Sequence, residues 1–422
     1  MKNIYLILLL TFAIFSCDDF VSDYEKPNDS IGNDQFKTAK DAQFLVKGVQ
    51  GLFAEAYDQM TSMAGGLSDE MNFTRDIQGA SFVQFDEINR ATTLPPLPLN
   101  PNNNSIANGF KAVQEFRKHT ELLIEKCEND IVFNEGEEGI KNDALYNGYF
   151  YSAVAKYFLG SYFGLEINSP GATIDVGPLL SRSELYTMTL ADLAEAEKYA
   201  SEAQLRSINT FRARIYILQN NTTMAATALS AGMVQGDANV NALYNALALN
   251  DWFYDSGNGR IQWYADPRYA AYLDLDPKES ARIPLFSFPG TATDSTGAPL
   301  NVYSIQNKHS TTESPIRFLS WQENELLLAE LAIDGGDVGT GLIHVNNVRA
   351  SYNLDAIDDQ YITDNYAGDA MAMLIAERDK EFFCEGMRLL DQRHFDLWHL
   401  DPATSWMHLP LPLAERQANP NL

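Results

Sequence analysis

The stretch AERDKEFFCEGMRLLDQR, residues 376–393, sets charged residues at helical spacing among apolar ones, inside a predicted helical region from Asp369 to Leu400. Gly386 is a residue type at which helices often end. Residues three or four positions apart share a helix face, so the acids here can meet the arginines across one turn or across the junction. Such Arg–carboxylate contacts would fix how the last helices cross. The residues predicted to be structural in this way are Arg378, Glu381, Glu385, Gly386, Arg388 and Asp391.

Upstream of this stretch, apolar residues recur at helical spacing in most of the chain. The predicted helices cover residues 39–60, 106–127, 143–162, 189–203, 207–218, 222–233, 321–333 and 339–350. In the pair 207–218 and 222–233, small residues of one helix can receive large residues of the other. Tetratricopeptide-like helical pairs pack in this way, so the pattern predicts a mostly α fold built from such pairs.

Two long segments interrupt the helical pattern, residues 63–105 and 243–307. The first contains the proline-rich run 94–101, which predicts extended chain. The second contains short strand candidates at residues 282–288 and 300–305. The glycine-rich run 334–341 resembles a nucleotide loop, but it lacks a preceding strand and a Lys-Ser/Thr ending, so it predicts a helix–helix turn.

The composition limits the classes of partner. The chain has 422 residues and a formal net charge of −27, which disfavours nucleic acid and anionic lipid surfaces as partners because both require clustered cations. Three cysteines, Cys17, Cys127 and Cys384, exclude a disulfide-stapled scaffold. Buried thiols are the favoured reading for Cys127 and Cys384, and a disulfide between them stays open.

The sequence predicts no metal site, no cofactor and no catalytic residues. The six histidines and three cysteines lack the spacing of zinc ligands. Asp274 and Asp276 lack the loop pattern that supports a structural calcium ion. There is no GxSxG elbow for a serine hydrolase, and nothing marks a carboxylate pair of the glycosidase type.

The first residues have the pattern of an export signal. Lys2 precedes an apolar run from Ile4 to Phe15, which is too short to span a bilayer comfortably. Ser16 and Cys17 follow, as at a lipoprotein signal site. We therefore predict a signal peptide at residues 1–16, a lipidated Cys17 beginning a polar spacer at residues 17–35, and a single domain at residues 36–422.

Aromatic residues are concentrated in the irregular segments. Trp and Tyr rings commonly stack on sugar rings, while a few hydrogen bonds orient the ligand. The alternative is that these rings only cover the helical body. On loop position and chemistry, the predicted substrate-binding residues are Asp69, Glu70, Arg75, Trp252, Tyr254, Trp263 and Tyr264.

The stretch 376–393 resembles the signature of the SusD/RagB family of nutrient-binding outer-membrane lipoproteins. Other segments resemble the family in the same order: residues 17–20, 67–70, 149–164, 266–268, 321–330, 346–349 and 409–420. The resemblance covers nearly the whole chain after the signal peptide, with signature helices at about residues 317–400.

This resemblance implies four tetratricopeptide-like pairs supporting an irregular ligand-binding half. It also implies a lipid-anchored protein of the outer membrane, exposed at the cell surface, that captures glycan and passes it to a SusC-type TonB-dependent transporter. Two other classes stay open. One is a secreted glycoside hydrolase with an unmarked carboxylate pair, and the other is a helical-repeat adhesin or peptide-binding lipoprotein.

Overall fold

The computed structural model describes residues 35–74, 76–77, 102–246, 248–257 and 259–422. Its helices are α1 (Ala39–Leu67), α2 (Asn104–Glu125), α3 (Glu138–Tyr162), α4 (Arg182–Glu197), α5 (Glu202–Leu218), α6 (Thr222–Leu229), α7 (Asp251–Asp255), α8 (Pro267–Leu275), α9 (Trp321–Asp334), α10 (Val338–Ser351), α11 (Asp359–Tyr366), α12 (Ala370–Glu381), α13 (Arg388–His394) and α14 (Leu413–Ala418). The predicted signal peptide, Cys17, nearly all of the predicted spacer and the proline-rich run 94–101 lie outside the described residues.

The strands are short and form two-stranded sheets. They are β1 (Met71–Phe73), β2 (Phe163–Gly164), β3 (Gly171–Ala172), β4 (Leu180–Ser181), β5 (Val240–Ala242), β6 (Trp263–Ala265), β7 (Leu285–Pro289), β8 (Val302–Gln306), β9 (Ile316–Leu319) and β10 (Leu409–Pro410). The predicted mostly α fold with a few short strands is confirmed. Within the described residues, no helix is long and apolar enough to cross a membrane.

Helix α1 begins at a capping box in which the Thr38 side chain caps the helix and the Asp41 carboxylate accepts the Thr38 backbone N–H at 2.8 Å. The sequence predicts an end near Met60, but the helix continues to Leu67. Its last turns contain Gly65 and Gly66, which are poor helix formers. Both glycines are buried under other parts of the chain, so tertiary packing outweighs their low helix propensity.

Four helical pairs form the scaffold in the described part of the chain: α1 with α2, α3 with α4, α5 with α6, and α9 with α10. The first pairs enclose an aromatic cluster. The Tyr57 ring stacks on Phe158 at 5.5 Å between centroids, and Phe318 meets Tyr57 edge-on at 5.3 Å. One hydrophobic cluster extends from Phe36 to Leu411 and includes residues of all of these helices except α6. The buried residues of α6 pack with α5 and α9 in a smaller cluster.

A buried ion pair joins the third helical pair to the fourth. Arg214 on α5 donates to both carboxylate oxygens of Glu323 on α9, at 2.6 and 2.7 Å, and also to the backbone carbonyl of Phe318. Both charged side chains are almost completely buried. Glycine residues in the run 334–341 form the turn between α9 and α10, as the sequence predicts.

The predicted helical region from Asp369 to Leu400 consists of two helices separated by a break. Helix α12 ends at Glu381 and α13 begins only at Arg388. Between them Cys384 has φ +58° and Gly386 has φ +75°, which are left-handed conformations that do not continue a helix. The boundary predicted at Gly386 is therefore correct in kind, but the break starts about a turn earlier.

The irregular segment 243–307 contains more regular structure than the sequence indicates. It includes α7, β6, α8 and a 3₁₀ turn at Pro277–Ala281. Strands β7 and β8 pair as an antiparallel hairpin, with Phe286 opposite Ile305 and Phe288 opposite Tyr303. The two predicted strands therefore exist, shifted by two or three residues at their first positions.

The end of the chain is bound to the first half of the scaffold. Leu409 of β10 pairs in parallel with Phe163 of β2. Beyond it, Arg416 donates to the carbonyl of Leu165, and Asn421 Nδ2 donates to the carbonyl of Val176 at 2.6 Å. These contacts hold residues 409–421 against residues 163–176, which lie far away in sequence.

Candidate functional site

The predicted ligand residue Asp69 lies at the end of α1, where it contacts two arginines. Arg388 donates to both carboxylate oxygens of Asp69, at 2.6 and 2.8 Å, and the Arg268 guanidinium lies 3.1 Å from it. Arg268 also forms a 2.8 Å ion pair with Asp379 of α12. Asp69 thus has a structural role, because it joins the end of α1 to the signature region.

Glu70 is enclosed in the same junction, with 1% of its surface exposed. Its Oε1 atom accepts the backbone N–H of Cys384 at 2.8 Å, and its Oε2 atom has no hydrogen-bond partner among the described residues. Burial raises the pKa of this carboxyl group to about 8. Glu70 is therefore a largely neutral, buried acid at pH 7, and its position does not fit the predicted contact with substrate.

Two of the predicted stacking residues are also packed inside the protein. Trp252 is 1% exposed and donates its indole N–H to Thr61 at 2.9 Å, and Trp263 is 5% exposed. The Trp252 ring lies against Gly65 and the Trp263 ring against Gly66. A Cβ added at either glycine would lie 2.7 Å from the facing indole. The structure corrects the prediction for Trp252 and Trp263, because rings this deeply buried offer no face to a sugar.

The signature residues form a set of buried ion pairs, although some partners differ from those expected. Arg378 donates to Asp391 at 2.6 and 3.0 Å across the break between α12 and α13. Glu381 and Glu385 instead contact Arg317 of β9, at 2.8 and 3.0 Å. Paired charges of this kind fix geometry, and removing one partner leaves the other unpaired in the interior.

A surface aromatic group is formed by four half-buried residues that we call the hairpin aromatic surface: Tyr264, Phe286, Phe288 and Tyr303. These rings pack over a small cluster of Ile77, Ile261 and Ile305. The Tyr264 and Tyr303 ring centroids are 4.8 Å apart. Because Phe286 and Phe288 lie opposite Ile305 and Tyr303 in the hairpin register, one face of the hairpin is apolar and aromatic.

Asp76 holds the hairpin in place. Its carboxylate accepts the backbone N–H of Ala292 at 2.6 Å, the Asn301 side-chain N–H at 3.1 Å and the Tyr303 hydroxyl at 3.0 Å. These hydrogen bonds, the Ala292 one first, lower the pKa of Asp76 to about 2. Tyr303 is thereby fixed in position beside amide and carboxylate groups, the combination of flat ring and oriented polar group that sugar recognition uses.

The remaining predicted aromatic residue, Tyr254, is 36% exposed and meets Phe253 edge-on. The backbone N–H of Arg260 donates to the Tyr254 carbonyl at 2.9 Å, which folds this segment back before it enters β6 and Tyr264. Arg75 lies outside the described residues. Of the predicted binding residues, Tyr254 and Tyr264 are therefore the two with the exposure that stacking requires.

Sequence reasoning missed Tyr303, Phe286 and Phe288. The signal was present as alternation within the two predicted strands, because residues at positions i and i+2 of a strand share one face. This alternation is a weaker signal than the dense Trp and Tyr content of the segment 252–264.

Among the described residues, no group of three or more His, Cys, Asp and Glu side chains is arranged to hold a metal ion. Asp276 caps the 3₁₀ turn by accepting the Lys278 backbone N–H at 3.0 Å. Cys127 and Cys384 are both buried free thiols, and burial raises the pKa of the Cys127 thiol to about 12. These thiols are thus in the inert state expected of small apolar side chains.

No protein-family model and no curated protein matches the chain. Solved structures do match. A SusD superfamily protein from Bacteroides thetaiotaomicron aligns with a TM-score of 0.68 at 15% identity, covering 91% of this chain and 98% of that one. A putative sugar binding protein from Bacteroides vulgatus aligns with a TM-score of 0.67 at 17% identity, covering 92% and 98%. A laminarin binding SusD-like protein aligns with a TM-score of 0.61 at 15% identity, covering 91% and 98%. These alignments extend over nine-tenths of the chain, and the chain has the SusD-like fold.

Proposed function

We propose that this chain is a cell-surface lipoprotein that binds glycan and delivers it to a SusC-type TonB-dependent transporter of the outer membrane. It acts without a cofactor and without changing its ligand chemically. The observation that carries the proposal is the SusD-like fold over nine-tenths of the chain. Two matching structures are described as sugar binding and laminarin binding proteins, which supports a glycan as the ligand here.

The hairpin aromatic surface is the proposed contact for the glycan. Tyr264 and Tyr303 form a half-buried ring pair, and the Tyr303 hydroxyl is oriented by Asp76. Aromatic rings bind neutral sugars by covering their C–H faces, so the acidic charge of the chain does not oppose this contact.

Binding of residues 18–422 to a panel of polysaccharides tests the proposal. Against a polysaccharide that binds, Tyr264→Ala should weaken affinity by roughly five- to tenfold, the effect of losing one aromatic contact. The matched control is Tyr199→Ala, because Tyr199 stacks on Tyr149 in a second half-buried tyrosine pair on the helical scaffold, with centroids 6.2 Å apart. Equal losses in both variants would show that the hairpin aromatic surface is not the contact.

The same incubation separates a binder from a hydrolase. We expect no release of reducing sugar from any polysaccharide that binds. Accumulation of shorter products by purified protein would contradict the proposal and support the hydrolase class.

The anchor and the partner require experiments in cells. Cys17→Ala should release the protein from membranes without altering its helical content, and continued membrane retention would contradict the lipid anchor. Native purification from membranes should recover a large β-barrel protein with the chain. Repeated absence of any barrel would favour the adhesin class.

A further inference from the structure

A cavity lies on the helical scaffold, away from the elements that form the hairpin aromatic surface. It has a volume of about 230 Å³ and is enclosed by the first turn of α4, the end of α5 and α13. Its polar lining comes from Arg182, Tyr186, Asn220, Arg393 and His394, and two leucines complete it. In a chain with a net charge of −27, the described residues that line this cavity include two arginines and no acid.

Among the described residues, neither arginine has a carboxylate partner. Arg393 donates from Nη1 to the backbone carbonyl of Met407 at 3.0 Å, and Arg182 donates from Nε to the carbonyl of Gly160 at 3.2 Å. Within the described residues, every other buried or half-buried arginine forms an ion pair with an Asp or Glu. These are arginines 117, 206, 212, 214, 268, 282, 317, 349, 378, 388 and 416.

The nearby polar groups do not neutralise this charge. His394 contacts Glu330 at 2.6 Å, and the other oxygen of Glu330 lies 3.5 Å from Arg378, so this acid is already engaged. The Tyr186 hydroxyl bonds to Ser161 at 2.9 Å. Arg182 is the first residue of α4, and the positive end of the helix dipole adds to its potential.

Two adjacent cations that are partly withdrawn from water oppose each other. Burial first, and the charge of Arg182 second, lower the pKa of Arg393 to about 9. Arg393 is therefore still charged at pH 7. An anion placed between the guanidiniums would remove this repulsion, and the free N–H groups of each fork suit bidentate pairing with an oxyanion.

We propose that this cavity binds an oxyanion, a carboxylate, sulfate or phosphate group, held between Arg182 and Arg393 with the Asn220 amide as a further donor. The cavity accommodates such a group on a small molecule, whereas an oligosaccharide exceeds its volume. The site is independent of the proposed glycan contact, because the two share no residue.

Titration calorimetry at low ionic strength with sodium sulfate, sodium phosphate and sodium glucuronate tests the site, with glucose as the neutral control. We expect saturable binding of at least one anion and none of glucose. Arg182→Gln and Arg393→Gln should each weaken it by at least about tenfold, since each removes a charged fork. The matched control is Arg212→Gln. Arg212 on α5 pairs with Glu197 outside the cavity, so this substitution removes the same charge without changing the cavity lining.

The relative affinities distinguish the sources of the anion. Tighter binding of glucuronate assigns the site to an acidic sugar, and tighter binding of sulfate or phosphate assigns it to an inorganic anion. The absence of saturable binding by all three anions would overturn the proposal, as would equal losses in Arg182→Gln and Arg212→Gln.

Thermal unfolding gives a second readout that does not depend on the calorimetric signal. The binding anion should raise the Tm of the natural protein in proportion to the logarithm of its concentration, and should not raise that of Arg182→Gln. In anion-free buffer the Tm of Arg182→Gln should equal or exceed that of the natural protein, because the substitution removes the repulsion between Arg182 and Arg393. A lower Tm for this half-buried residue at the helix start would show that Arg182 is structural and would overturn the site.

Discussion

Gly66 lies directly beneath the indole of Trp263, so that a Cβ at this position would be 2.7 Å from the ring atom Cη2. The last turns of α1 can approach β6 only because no side chain intervenes. Helix α1 therefore continues to Leu67, seven residues past its predicted end. The same contact buries Trp263, which the sequence predicts to be a ligand-binding residue.

Gly66→Ala should therefore lower the free energy of unfolding by about 1–3 kcal/mol, the usual cost of overpacking a core. Gly48→Ala, in the same helix with no atom within 4 Å of its Cβ position, should instead raise it by roughly 0.5–1 kcal/mol through helix propensity. Urea unfolding of both variants measures the difference. Equal effects would show that Trp263 does not pack as described.

The buried acid Glu70 predicts a pH dependence of stability. Its folded-state pKa of about 8 lies above the ordinary value of 4.5, so the folded state binds the proton more tightly. Its contribution to stability is fully present below pH 4.5 and is lost as the pH rises through about 8, with a slope of at most about 1.4 kcal/mol per pH unit.

Glu70→Gln should flatten this dependence. The free energy of unfolding of the variant relative to the natural protein should rise between pH 5 and pH 8, as followed by urea unfolding at several pH values. Glu138→Gln, which changes an exposed glutamate, is the control and should keep the natural slope. Parallel pH profiles for Glu70→Gln and the natural protein would contradict the neutral buried carboxyl.

The Arg214–Glu323 pair predicts a strong coupling between α5 and α9. Arg214→Met leaves Glu323 unpaired in the interior and should cost about 3–5 kcal/mol. The double variant Arg214→Met/Glu323→Gln should recover part of this loss, because no unpaired charge remains. A double-mutant cycle by chemical denaturation measures the coupling, and additive losses would show that the two groups do not act as a pair.

The conformation of Gly386 predicts that a side chain at this position, in the break between α12 and α13, destabilises the protein. It has φ +75°, and a Cβ there would lie 2.9 Å from Cγ2 of Thr61. Gly386→Ala should destabilise by about 1–3 kcal/mol from backbone strain alone. Gly368→Ala has a similar φ of +85° but open space around it, so the difference in Tm between the two variants isolates the clash with α1.

Helix positions follow from local pattern, and this is why the scaffold is predictable. The periodicity in residues 39–60 gives the first helix, and strand alternation marks the hairpin near Phe286 and Tyr303. By contrast, the Arg388–Asp69 contact spans 319 positions, and no local signal indicates it. The predicted loop position of Trp252 and Trp263 indicates exposure, whereas Gly65 and Gly66, which lie far away in sequence, allow both rings to be buried against α1.

The pairing of β10 with β2 joins two segments that are synthesised at very different times. Leu409 and Arg416 satisfy backbone groups at Phe163 to Leu165 that otherwise face water. Because Arg416 lies 251 positions after Leu165, this edge stays uncovered during synthesis until residues 409–416 have been made. A chain interrupted before Leu409 would keep every helical pair of the scaffold and would leave this edge unpaired.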